Sequence, residues 1–314
     1  MRVTGQNHNR ERTGMSADMI IQTITPTTHS LGDFRVYRSL PAKERTMVGP
    51  FIFFDQAGPA QIGPGHGIDV RPHPHINLAT VTYMYDGAFM HRDSLGTEQL
   101  IEPGAVNLMT AGKGIVHSER SPDEDRAKPS KLSAIQTWLA LPDRDEEMDP
   151  AFEHVSEGGL PVIEDGGARA RIIMGSLWGH VSPVTTYAHT IYADIQLMPG
   201  ARIAIDASAD ERALYVSGGD AMLDGTMLTP QTLYVLRPGT AATLASVDGG
   251  RIVLCGGEAF ASPRHVWWNF VSSRPDRLMQ AREDWEAMRF PLIPGDDREF
   301  IPIPQGRPKT VSYP

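Results

Sequence analysis

RPHPHINLATVTYMYDG, residues 71 to 87, sets His73 and His75 one residue apart, ahead of an apolar, β-branched run closed by Asp86-Gly87. That run has the length and composition of a β-strand. Side chains alternate faces along a strand, so the two imidazoles point the same way, into a barrel if the strand belongs to one. Some forty residues on, GKGIVHSER, residues 112 to 120, repeats the spacing with His117 and Glu119. Two such pairs on neighbouring strands make a four-ligand metal site.

Three neutral imidazoles and a carboxylate form a mixed nitrogen and oxygen set that suits Fe(II), Mn, Ni, Cu or Zn better than Ca or Mg. Four protein ligands leave two positions of an octahedron for a substrate oxygen and dioxygen, which points towards an oxygenase. Phe53, Gln136 and Trp138 lie on expected strands of the same region, where they either line a pocket above the metal or pack the barrel. Glycine-rich turns, GPGHG and AGKG, precede the two ligand pairs. His66 and His91 read as structural, His91 facing solvent, and His154, His180, His189 and His265 lack a partner at ligand spacing.

Around this core the chain has 314 residues with 30 glycines and 25 prolines spread along it, which favours many short strands and an all-β architecture. A net charge of −9 gives no reason to approach a phosphate backbone, so direct nucleic-acid binding is not expected. The one cysteine, Cys255, lies in the apolar run RIVLCGG and reads as a buried strand residue. No stretch is long and apolar enough for a membrane span or a secretory signal, so a soluble cytoplasmic protein is the expectation. Residues 1–17 are polar enough to be disordered, with Met15 an alternative start.

The expected organisation is an N-terminal metal-binding domain over 18–142, a charged and glycine-containing connection over 142–162, and a second domain over 163–304. Strands ending in Pro-Gly recur in both halves (Pro103-Gly104, Pro199-Gly200, Pro238-Gly239), which hints at one architecture used twice. The second half has neither ligand pair and is expected to be metal-free. RPDRLMQAREDWEAMR, residues 274–289, puts Leu278, Ala281, Trp285 and Met288 on one helical face with Pro275 in the first turn. The proline-rich remainder reads as an extended strap or tail.

PFIFFDQ, HPH, TVTYMYDG, EPGAVNLMTAGKGIVHSE and IQTWLALP together resemble the N-terminal cupin domain of the pirin family, and the likeness in type extends over most of residues 20–304. It implies a bicupin of two jelly-roll β-barrels with a C-terminal helix, of the bacterial type. It also places His73, His75, His117 and Glu119 on the family's metal-ligand positions, which implies one divalent metal per chain, Fe(II) ahead of Mn, Ni, Cu or Zn. Where many cupins supply a glutamate four residues after the second histidine, this chain has Ala79. The resemblance implies quercetin 2,3-dioxygenase-type cleavage of a flavonol-like small aromatic substrate by O₂, with Glu119 also the catalytic base. The alternative it implies is an iron-binding, redox-responsive regulator acting through a protein partner, as a transcriptional cofactor or a modulator of a metabolic enzyme.

Overall fold

A computed structural model describes residues 19–31 and 34–305, so the expected disorder of 1–17 lies outside the described residues. The described residues form two compact units, one of Thr27–Gly159 with residues 260–305, the other of residues 19–26 with Leu160–Ala259.

The histidine-bearing unit pairs a seven-stranded antiparallel sheet with a four-stranded one. The larger runs, edge to edge, Ala151–Val155, Val106–Thr110, Leu78–Asp86, Ser130–Ala140, Phe51–Ile62, Phe34–Leu40, Thr27–Leu31. The smaller runs Asp69–His75, Ile115–Arg120, Phe89–Asp93, Glu98–Ile101. Met84, Leu132 and Ala134 from the first sheet pack against Phe89 and Ile101 from the second, which closes one end of the sandwich with apolar contact.

The second unit repeats this plan. Its four-stranded sheet, Arg202–Ile205, Ala242–Ala245, Ala221–Leu223, Thr226–Leu228, has the same order: first, fourth, second and third along the chain. The strands corresponding to those of the histidine pairs carry Ile203, Ile205, Ala242 and Leu244, all buried in an aliphatic core. One architecture is therefore used twice, with the His73/His75 and His117/Glu119 pairs replaced by aliphatic side chains in the second copy. Cys255 is fully buried in this unit, and burial pushes its thiol up to about 12.

Two segments lie on the other side of the expected domain division. Ile20–Ile24 pairs antiparallel with Leu233–Leu236, so the first strand belongs to the second unit rather than to an 18–142 domain. The C-terminal helix, Pro275–Glu286, belongs to the histidine-bearing unit: Leu278, Ala281 and Trp285 pack with Ile76, Val116 and Phe270. The physical reason is that an apolar helix face goes where complementary apolar surface exists, and the backs of the two histidine strands supply it. Met288, expected on that face, lies just beyond the helix and is exposed. The connection at 142–162 also holds an edge strand of the larger sheet, Ala151–Val155.

Residues 290–305 form the expected strap. Its Asp296 accepts hydrogen bonds from Ser118 Oγ (2.7 Å) and from Arg120 Nε and Nη2 (2.9 and 2.8 Å), while the Trp285 indole donates to the Ile301 carbonyl at 3.0 Å. The AGKG turn explains its glycines. Gly112 has φ +48°, and a Cβ there would stand 2.1 Å from the Met148 carbonyl oxygen, a backbone atom that cannot easily yield.

Candidate metal centre

Antiparallel register brings the two ligand pairs together: His117 lies opposite His73 on the neighbouring strand, and Ile115 opposite His75. A bulge between His117 and Glu119 re-aims the glutamate relative to that strand. The three imidazoles are buried, and their ligand atoms lie within 4.8 Å of one another.

Contacts mark the nitrogen that each presents to the others. His73 Nδ1 meets the Arg71 carbonyl at 2.8 Å, leaving Nε2 free. His75 and His117 face each other through their Nε2 atoms at 3.1 Å. Metal–imidazole bonds of about 2.0–2.1 Å meeting at a right angle put their nitrogens about 3 Å apart, so this spacing fits two adjacent ligands of one ion.

Burial, then repulsion from His73, pushes the imidazoles of His75 and His117 well below their ordinary range, and burial also lowers His73. Neutral imidazole is the ligating form, so the donor set fits a divalent metal of the Fe, Mn, Ni, Cu and Zn group. The same depression has a cost without metal. Below about pH 6.5 the unfolded chain takes protons that the folded site refuses, so stability is lost as pH falls. Metal-free protein is expected to lose stability as pH falls from about 6 to 5, by at most roughly 1.4 kcal/mol per pH unit for each of His75 and His117. Urea unfolding across that range checks this: a His75→Gln/His117→Gln double variant should have the flatter profile, and parallel profiles would contradict it.

Glu119 stands beside the triad but is tethered differently. It is buried, and its charge is felt at His73. Its carboxylate accepts from Gln136 Nε2 at 3.0 Å on each oxygen and from Thr82 Oγ1 at 3.1 Å, so neutral donors of the larger sheet hold it in place. Gln136 lies in register with Thr82 across adjacent strands, which is why both reach one carboxylate.

Of these residues, His73, Glu119, Gln136 and Thr82 open onto a cavity of about 500 Å³ in the same unit. Its lining includes His73, Glu119, Gln136, Phe53 and Trp138, so the three residues weighed as either pocket or packing positions do line it. Phe53 and Trp138 stack at 4.0 Å, and Arg38, held bidentately by Asp55 (2.9 and 2.7 Å), lies over the other face of Phe53 at 4.4 Å. Trp268, Asn269 and Ile301 complete the wall, and nothing in their local sequence connects them with the histidines.

His91 corrects an expectation. Far from facing solvent, it is 3% exposed and touches His117, while Asp93, two residues on, is fully buried beside it. The H-x-D spacing on a strand was the available signal, since the two-residue period puts both on one face. His154, assigned no chemistry, bonds Asn107 at 2.7 Å.

Two barrels on one plan, the first carrying a buried triad of metal-competent histidines, define a bicupin. The pirin family model matches residues 33–139, and the model of the pirin C-terminal cupin domain matches residues 192–291. A pirin-like protein of Caulobacter vibrioides is 43% identical over 88% of this chain and 96% of its own length. The chain belongs to the pirin family. A crystal structure of a quercetin 2,3-dioxygenase from Acinetobacter baumannii superposes with a TM-score of 0.87 at 35% identity, covering 95% of this chain and 99% of that one. The bacterial pirin YhhW of Escherichia coli, solved in complex with nickel(II), shares the fold at TM-score 0.60 and 16% identity over 76% of this chain and 99% of its own. Among the described residues no helix is long and apolar enough to cross a membrane.

Proposed function

We propose that this chain is a metal-dependent dioxygenase of the quercetin 2,3-dioxygenase type, which opens a flavonol-like aromatic ring with O₂. The observation that carries the reading is the convergence of three imidazoles, with ligand atoms within 4.8 Å of one another, beside a cavity with apolar and aromatic walls that His73 and Glu119 help to line. His73, His75 and His117, joined by Glu119, would hold one divalent ion per chain, with Fe(II) the first choice. When bound, such a metal supplies Lewis acidity to a substrate hydroxyl and an open position for dioxygen. Likeness to the Acinetobacter protein supports the reaction type.

The chain's own part is placement and proton handling. Val36, Ile68, Val70 and Phe89 give the cavity a water-excluding wall suited to a flat ring. Glu119 accepts the proton of the substrate's hydroxyl, and Gln136 and Thr82 keep its carboxylate turned towards the cavity. Oxygen uptake with quercetin by iron-loaded protein tests the reading. Glu119→Gln should lower turnover at least about 100-fold, in line with loss of a general base, while retaining most of the metal. Full metal loading without uptake in the parent protein would overturn the dioxygenase reading and favour the regulatory one.

A further inference from the structure

We propose that His91 and Asp93 are positioning residues that fix the tautomer of His117, so that its Nε2 lone pair faces the metal centre; this rests on the metal-site reading above. The two come from the Phe89–Asp93 strand, which flanks the His117 strand on the side away from His73. Their atoms form a chain. Asp93 Oδ2 lies 3.0 Å from His91 Nε2, His91 Nδ1 lies 3.4 Å from His117 Nδ1, and His117 Nε2 lies 3.1 Å from His75 Nε2.

The proton positions follow from what each group can do. The Asp93 carboxylate oxygens accept, so His91 Nε2 carries the hydrogen. A His91 ring with that single hydrogen has a bare Nδ1, which accepts from His117 Nδ1–H. His117 is left with a bare Nε2, the atom a metal requires. This is the arrangement in which a carboxylate orients a ligating histidine, with one additional imidazole inserted between them.

Asp93 is locked in place. Its other oxygen, Oδ1, accepts the backbone N–H groups of Leu95 (2.9 Å) and Thr97 (3.1 Å), and the residue is fully buried. His91 is held by stacking on Phe152 with ring centroids 4.5 Å apart. The lock makes Asp93→Asn an informative variant. Two backbone donors require the amide oxygen on the Oδ1 side, so the amide NH₂ must face His91 Nε2. His91 must then accept there and carry its hydrogen on Nδ1, which in turn makes His117 Nδ1 the acceptor and puts a hydrogen on His117 Nε2. One isosteric change reverses every proton in the chain.

Histidine ¹⁵N NMR of the metal-free full chain at pH 8.5 reads this directly. In the parent protein His117 should be the Nδ1–H tautomer, and in Asp93→Asn the Nε2–H tautomer. Zn(II) competition titrations should show affinity falling about 10- to 100-fold in Asp93→Asn. His91→Phe, which keeps the ring on Phe152 and leaves His117 free to choose, should lose less. A merely structural role gives the opposite ranking, since phenylalanine is the greater change of shape. An Nε2–H tautomer in the parent, or no reversal in folded Asp93→Asn, overturns the relay whatever the metal does. Reversal in a protein that binds no zinc upholds the relay and overturns the metal site instead.

Discussion

Replacing His117 by alanine is expected to take bound metal from near one ion per chain to below about a tenth, as measured by elemental analysis after anaerobic purification. His117 would be the central ligand of the three: its strand lies between those of His73 and of the His91–Asp93 pair, and its Nε2 is 3.1 Å from that of His75. Changes to partners behind a ligand already cost about 10- to 100-fold in affinity, and loss of the ligand itself must cost more. The fold should survive, because the site is a desolvated cluster of uncharged imidazoles whose truncation relieves an acid-sensitive burden rather than removing a hydrophobic anchor. A bound ion that favours the native state raises stability by mass action, so added Fe(II) or Zn(II) should raise the melting temperature of the parent and not of His117→Ala. His154→Ala, a histidine outside the triad, is the control. Parent-like metal content in His117→Ala would remove the site from consideration.

The second large effect concerns stability. Arg264→Met is expected to destabilise the histidine-bearing unit by about 3–5 kcal/mol. The Arg264 guanidinium is about 1% exposed; its Nε lies 3.2 Å from the buried carboxylate of Glu146, and its Nη2 donates to the Leu141 carbonyl at 2.8 Å. Glu146 in turn accepts from the Ser273 backbone N–H at 2.6 Å and from the Ser273 hydroxyl at 2.9 Å, tying the chain before the helix to the 142–149 segment. Removing the cation leaves a buried carboxylate short of a counter-charge, which costs more than the pair itself is worth. Asp143, the other anionic partner, is more than half exposed and contributes little.

Burial already pushes the Glu146 carboxyl above its ordinary range, against the hydrogen bonds from Ser273 and the charge of Arg264. A raised carboxyl favours the folded state at low pH and loses that advantage as pH rises through its folded value. Arg264→Met should therefore cost less at pH 5 than at pH 8, and adding Glu146→Gln should recover much of the loss. Urea unfolding followed by tryptophan fluorescence reports on this unit, since four of the five tryptophans (Trp138, Trp267, Trp268, Trp285) lie in it. A single-variant effect under about 1 kcal/mol at pH 8 would contradict the account.

The sequence by itself determined the strand character of both halves and the inward pairing of the histidines. It determined the helix around Trp285 too, because each depends on a local period that the chain carries within a dozen residues. His73 with His75, and His117 with Glu119, are legible because a strand turns every second side chain to one face. Tertiary structure decided what depends on pairing between distant strands. Ile20–Ile24 crosses to Leu233–Leu236, the helix settles behind the histidine strands, and Trp268 and Ile301 arrive at the cavity from more than 140 residues beyond His117. It also separated the four expected ligands into a triad of imidazoles and a Glu119 carboxylate held by Gln136 and Thr82, which no spacing within GKGIVHSER foretells. His91 shows the boundary most clearly: its two-residue offset from Asp93 was readable, but its place behind His117 follows only from the register of the Phe89–Asp93 strand against Ile115–Arg120.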